Sequence, residues 1–263
     1  MMADNDLLPT QLGKDYDKVM YDSYFALQNS PIFQEMLRYT IERNLPDLTG
    51  KTAYDNGFGA GFSLNIMLNR GLKSYTGLDL SSAMTPYLTK HAAETDPDTE
   101  VVFLRGDNTD AFSNLQCDPV HFVISSYAMN VDSIHKLNGF TKHVFDATRA
   151  DGEALLMVIH PDYVHTRERL EVLARYGNIL EPELPEGDSY GEFSPYQIRC
   201  VPPYFKNEIE FEEYVVSSAT LHASLRRAGF RTIKTVDIEA APGHEDLLDF
   251  AQAFNLAIYR CSK

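Results

Sequence analysis

Cationic side chains are scarce in this chain. Its 263 residues carry 23 Lys and Arg against 38 Asp and Glu, a formal charge of −15. A field of that sign repels polyanions, which argues against a nucleic-acid partner. It suits an amine or zwitterionic partner and equally serves solubility. Cysteine is scarce too. Cys117, Cys200 and Cys261 are odd in number and far apart, which supports neither a disulfide framework nor a zinc site and fits a reducing compartment. No run of about 18 apolar residues occurs, so no segment reads as a membrane span. The polar, acidic start, Met-Met-Ala-Asp-Asn-Asp, is no signal or transit peptide, and the expectation is a cytoplasmic protein.

What the chain does have is organised around residues 52–61, Thr-Ala-Tyr-Asp-Asn-Gly-Phe-Gly-Ala-Gly. A short buried strand ends at Asp55, and Gly57, Gly59 and Gly61 follow at every second position. Residues 62–70 read as a helix, with apolar Leu64, Met67 and Leu68 before Gly71. Strand, glycine turn and helix make a cradle where side chains would block a ligand. A dinucleotide site wants G-x-G-x-x-G, with Gly or Ala at the sixth position for close helix packing. Phe62 stands there instead. Asp55, two residues before the first glycine, would repel a phosphate and would suit a cationic amino group. S-adenosylmethionine carries an ammonium, a carboxylate, a ribose and an adenine, and no phosphate. An ordinary tight strand–helix turn is the bland alternative.

Two further acids count against that alternative. Residues 75–81 read as a second strand ending at Asp79, 24 residues beyond Asp55, where a ribose diol would be gripped. A third strand, Val101–Arg105, runs into Gly106, Asp107 and Asn108. There a carboxylate can accept from an adenine amino group while a neighbouring N–H serves a ring nitrogen. Any one of these acids could cap a helix. Three in order at successive strand ends point to a ligand edge.

The order D-x-G-x-G-x-G, G-x-D-x-S, then G-D resembles the class I S-adenosylmethionine-dependent methyltransferases, over roughly residues 50–160. Residues 16–24 are similar to the N-terminal helix that lies over the cofactor in small-molecule members. Residues 120–130 and 211–217 are similar to the toxoflavin-biosynthesis type. Asn56-Gly57-Phe58 departs from the family's usual residues without removing a binding group. The resemblance implies an α/β, Rossmann-like seven-stranded, mostly parallel sheet with helices on both faces and an antiparallel last strand. Into it is inserted a lid of helix and β-hairpin. Residues 1–50 would cover the cofactor, 51–160 form the binding core, 161–216 the lid and 217–263 the rest of the core. An Asn-Pro-Pro-aromatic motif and a Pro-Cys nucleophile are absent after strand four, which disfavours N6-adenine, glutamine and 5-methylcytosine chemistry.

The expected cofactor contacts are Tyr24, Asp55, Gly57, Gly59, Gly61, Asp79, Leu80, Met84, Asp107, Asn108 and Ser125. Substrate contacts are expected from Tyr21, Tyr127, Asn130, His160, Tyr190, Phe193, Tyr196 and Tyr204, the last four aromatic residues belonging to the lid. Methyl transfer from a sulfonium is an in-line displacement that needs positioning and exclusion of water. A hydroxyl or ammonium acceptor also needs a base. His160 is the candidate base, or else a structural cap. Tyr24 would orient the cofactor methyl and Tyr127 the nucleophile. No metal is expected. The reading is methyl transfer from S-adenosylmethionine, leaving S-adenosylhomocysteine, to N, then O, S or C of a small metabolite. Alternatives are an NAD-dependent oxidoreductase and a non-catalytic partner subunit.

Overall fold

Ten strands, in two sheets, and seven α-helices account for the architecture among the residues that the computed structural model describes: 30–159, 166–181, 185, 187, 188, 190–201 and 209–263. Strands β1 (Thr52–Asn56), β2 (Ser74–Asp79), β3 (Glu100–Arg105), β4 (Val120–Ser126) and β5 (Thr148–Ile159) pair in parallel. Strands β9 (Thr232–Val236) and β10 (Leu256–Ser262) complete this sheet in the order 3-2-1-4-5-10-9, with β10 antiparallel to both its neighbours. The strand order reverses between β1 and β4, and a crevice opens at such a reversal.

A sheet covered on both faces needs apolar residues at consecutive positions. In β5, Leu155 and Met157 enter one core, and Ala154, Leu156 and Val158 enter the other. The first core takes Ile32, Met36 and Leu37 from a π-helical turn (Ile32–Arg38), which continues into α1 (Tyr39–Asn44). It also takes Leu64 and Met67 of α2 (Phe62–Met67) and Leu88 of α3 (Thr85–Thr95). The second core is covered by α4 (Ile134–Ala147) and α6 (Ser218–Ala228), joined by a buried Thr141–Ser224 hydroxyl contact of 2.8 Å. The serines that precede both helices accept from the backbone N–H three residues on, as helix N-caps do.

Helix α2 stops at Met67, short of the expected Arg70. Asn69 turns to φ 61° and its N–H donates to Asp96 Oδ2. Helix α3 starts at Thr85, after a turn in which the N–H groups of Ser81 and Ala83 donate to Asp79 Oδ1 and Ser81 Oγ.

The inserted segment contains α5 (Arg167–Arg175) and three antiparallel strands, β6 (Asn178–Glu181), β7 (Pro195–Cys200) and β8 (Ile209–Tyr214), in the order 6-7-8. The expected hairpin is β7–β8. The structure adds β6, from a stretch whose acidic, Pro-rich neighbours disguise a four-residue strand. Helix α7 (Leu247–Ala253) packs on α5 and leads into β10. Among the described residues no helix is long and apolar enough to cross a membrane.

Candidate functional site

The chain leaves β1 through a turn that only glycine makes comfortably. Gly57 has φ 101°, and a Cβ there would stand 2.2 Å from that of Ala128, just past β4. Gly57 and Phe58 both donate to Leu78 O, at 2.8 and 3.2 Å, which fastens the turn to β2. Phe58 fills the space beside it, its ring 4.9 Å from that of Phe103. Next to this turn lies Asp79. Its Oδ2 accepts from Gly59 N and its Oδ1 from Ser81 N, both at 2.9 Å. Two backbone donors therefore fix the carboxylate at the mouth of the crevice.

A cavity of about 220 Å³ opens there. Its walls are the glycine turn (residues 57–60), Asp79 and Leu80 after β2, residues 106–109 after β3, and residues 126–128 after β4. Asp107 Oδ1 accepts from the N–H and hydroxyl of Thr109 at 2.8 and 2.7 Å. Asn108 Nδ2 donates to Ala128 O at 2.8 Å, joining the β3 and β4 loops.

Asp55 lies beneath the turn, fully buried. Burial pushes its carboxyl up to about 7, the Tyr75 hydroxyl (2.7 Å from Oδ2) opposes that, and the charge of Asp79 reinforces it. Its Oδ1 makes no hydrogen bond of good geometry among the described residues, although the Ser63 hydroxyl favours its charged form, and the two side-chain polar atoms of Asn56 have no partner there. Burying such groups unpaired costs about 1–3 kcal/mol each. Three of them cluster at the end of β1.

No family model matches the chain, and no curated protein matches it in sequence. Solved structures do match it in shape. A Listeria monocytogenes protein assigned as an S-adenosylmethionine-dependent methyltransferase superposes with a TM-score of 0.58 at 20% identity, over 86% of this chain and 96% of its own. The CcbJ methyltransferase of Streptomyces caelestis gives 0.57 at 11%, over 86% and 88%. The glycopeptide N-methyltransferase MtfA gives 0.53 at 16%, over 85% and 87%. The fold is that of the S-adenosylmethionine-dependent methyltransferases. The narrower toxoflavin-type likeness rests on the sequence motifs alone.

Within this methyltransferase fold the expected residues divide. Gly57, Gly59, Asp79, Leu80, Asp107, Asn108, Tyr127 and Asn130 all line the cavity. Asp55, Gly61, Met84 and Ser125 do not. Gly61 caps α2 at φ 86°, its missing Cβ giving room to Leu88, and Met84 is buried in the core. Ser125 is buried and its Oγ donates to Asn56 O at 2.8 Å, tying β4 to β1. The next residue, Ser126, is on the wall instead, with its Oγ 3.1 Å from that of Ser63. Side chains alternate along a strand, so the expected serine was on the wrong face by one residue.

The lid aromatics also need correction. Tyr196 is 3% exposed, and Tyr190 packs against it with ring centroids 5.4 Å apart. Phe193, at φ 57°, packs on the second core. These rings hold the lid together and do not line the cavity. Tyr21, Tyr24, His160 and Tyr204 lie outside the described residues. Tyr127 has φ 56° and its ring lies 5.9 Å from that of Phe33, and burial raises its hydroxyl above the ordinary range.

Sequence reasoning missed Glu213, Cys200 and Asn178 of the lid and the stacked pair Phe250–Phe254, all of them on the cavity wall. Glu213 is half-buried, and desolvation by the surrounding wall pushes its carboxyl up to about 8. A signal for it existed. Ile209-Glu210-Phe211-Glu212 alternates apolar and acidic, and the next inward position holds Glu213 where an apolar residue would continue the pattern.

Proposed function

We propose that the chain is an enzyme that transfers a methyl group from S-adenosylmethionine to a nucleophilic atom, nitrogen first among the candidates, of a small metabolite in the cytoplasm. The observation that carries this reading is Asp79, a carboxylate fixed by Gly59 N and Ser81 N on the cavity wall, at the reversal point of a methyltransferase fold. A carboxylate so fixed is suited to a ribose diol, which it can grip by charge-assisted bonds. Gly57 and Gly59 leave the wall bare where a nucleoside would lie. Asp107 and Asn108 stand at the far edge for a base, and the unpaired atoms of Asp55 and Asn56 leave polar capacity under the amino-acid end. The cofactor would supply a methyl on a positively charged sulfur. The chain supplies position and a dry wall, with Phe33, Phe62 and Tyr127 meeting ring to ring at the cavity.

The nicotinamide reading fares worse. A pyrophosphate needs free N–H groups at the glycine turn, and Gly57, Phe58 and Gly59 have already given theirs to Leu78 O and Asp79. Tyr24 and His160 keep their expected roles in this proposal, and N-methylation finds a parallel in what MtfA is named for.

Calorimetric titration with S-adenosylhomocysteine tests it. The wild type should bind with a micromolar or lower Kd, and Asp79→Ala should bind about 10- to 150-fold more weakly, for the loss of charge-assisted bonds of about 1.5–3 kcal/mol. No binding by the folded wild type refutes the methyltransferase reading.

A further inference from the structure

Glu213 is an acid at a strand position where the alternation begun by Ile209 and Phe211 calls for an apolar side chain. It pairs across the lid sheet with Tyr196, and directly opposite residues of an antiparallel ladder share a face. On β7 that face also carries Ile198 and Cys200, all three buried, while Gln197 faces out and bonds Glu212 at 3.0 Å. The backbone carries Glu213 inward, and its side chain is on the cavity wall. Its position is fixed from the other side too: Asn130 Nδ2, in the loop after β4, donates to Glu212 O at 2.9 Å.

No hydrogen bond or ion pair engages the Glu213 carboxyl among the described residues. Among the described residues the one Lys or Arg on the same wall, Lys136, is held 2.6 Å from Asp132. Even partial desolvation of a carboxylate without a partner costs free energy, so the arrangement makes sense when a ligand on the cavity wall supplies the missing cation. Apolar surface accompanies it: Phe250 and Phe254 stack at 5.2 Å on the wall, with Tyr127 and Ile159 nearby on the same cavity. Rings and a lone acid together select a cation attached to an apolar skeleton.

We propose that Glu213 is the substrate-binding acid of this cavity, and that the methyl acceptor is an apolar primary or secondary amine whose ammonium group it pairs with and deprotonates. This rests on the methyltransferase reading. In the step assigned to Glu213, one proton moves from the ammonium nitrogen to the carboxylate, leaving a neutral amine with its lone pair and a neutral carboxylic acid. No bond to carbon changes. A carboxyl raised toward the titration range of amines makes that transfer less costly than it would be with an ordinary glutamate.

The test uses the full chain and its Glu213→Gln and Glu213→Asp variants, saturated with S-adenosylhomocysteine. Calorimetry then compares phenethylamine, cyclohexylamine and piperidine with 2-phenylethanol, cyclohexanol and tetrahydropyran. At least one amine should bind the wild type ten-fold or more tighter than its neutral counterpart. Glu213→Gln should lose that preference and Glu213→Asp keep part of it, while all three proteins bind S-adenosylhomocysteine alike and melt at or above the wild-type temperature. The proposal is overturned if no amine binds the wild type, if the neutral counterparts bind as well, or if Glu213→Gln keeps the preference. Failure of the wild type to bind S-adenosylhomocysteine would instead overturn the methyltransferase reading beneath it.

Discussion

Replacing Gly57 by alanine probes the turn on which the site is built. Alanine in the left-handed region costs about 1–2 kcal/mol relative to its ordinary conformations, and Gly57 sits at φ 101°. Its new Cβ would also lie 2.2 Å from the Ala128 Cβ, where carbon atoms ordinarily keep about 3.5–4.0 Å. The β1 and β4 loops would have to part by more than about 1 Å, and overpacking of that kind costs about 1–3 kcal/mol. Together these predict a loss of about 2–5 kcal/mol, within the ~5–15 kcal/mol that holds a typical fold. The variant should fold, melt several degrees lower, and bind S-adenosylhomocysteine more weakly because both residues line the cavity. Ala128→Gly removes the opposing Cβ and none of the backbone strain. In the double variant the overlap part should return and the conformational part should not, a coupling of about 1–3 kcal/mol. Urea denaturation of the four proteins measures it. A loss under about 0.5 kcal/mol in Gly57→Ala, or strict additivity in the double variant, refutes the reasoning.

Three other outcomes follow from named contacts. Asp55 titrates near 7 when folded and near 3.9 in an unfolded chain, so it binds its proton more tightly folded. Its contribution to stability is greatest below pH 3.9 and drains away as pH rises to 7. Asp55→Asn, which does not titrate, should therefore gain on the wild type between pH 4.5 and 7.5, by at most about 4 kcal/mol. Urea midpoints across that range decide it, and a pH-independent difference contradicts the assignment. Tyr54 OH lies 2.7 Å from His143 Nε2, and His143 Nδ1 lies 2.7 Å from Asp110 O. The carbonyl can only accept, so Nδ1 carries the hydrogen and Nε2 accepts from Tyr54. Tyr54→Phe leaves that buried nitrogen unpaired and should cost about 1–3 kcal/mol by chemical denaturation. Asn130→Ala removes the side-chain bond to Glu212 O. Amide exchange in residues 209–214 should speed up while that of β4 stays unchanged, and equal exchange in both proteins would mean Asn130 does not hold the lid.

The strand-end acids were legible because each is marked locally. Asp55 and Asp79 lie in the last two positions of their strands and Asp107 two residues past its own, each ahead of a turn, and a parallel sheet gathers such ends on one edge, although only Asp79 and Asp107 reach the cavity wall. Legibility failed where a decision hung on one residue of register. Ser125 and Ser126 are chemically identical neighbours, and only the pairing of β4 with β1 settles which one staples the strands and which one meets the cavity. It failed again where the wall comes from far along the chain. Phe250 and Phe254, four apart, read as an apolar helical stripe, but local pattern does not say which surface receives it. Here that surface is the wall of the same cavity that residues 57–60 line.

Three of the lid rings expected at the substrate, Tyr190, Phe193 and Tyr196, pack within the protein and are not on the cavity wall. A three-stranded sheet is too small to bury much by itself. Tyr196, in tilted ring contact with Tyr190, and Phe193, seated on the second core, supply apolar contact to it. The informative lid residue is the one that does not share this packing, Glu213 on the cavity wall. An unpaired acid on the inward face opposes the stability of the sheet that carries it, so Glu213→Gln should leave the lid as stable or make it more so. A residue that is better for the fold when removed, yet is aimed at a cavity, is more economically explained by a ligand than by packing. The sign of that stability change, read beside amine binding in the same variant, separates the two.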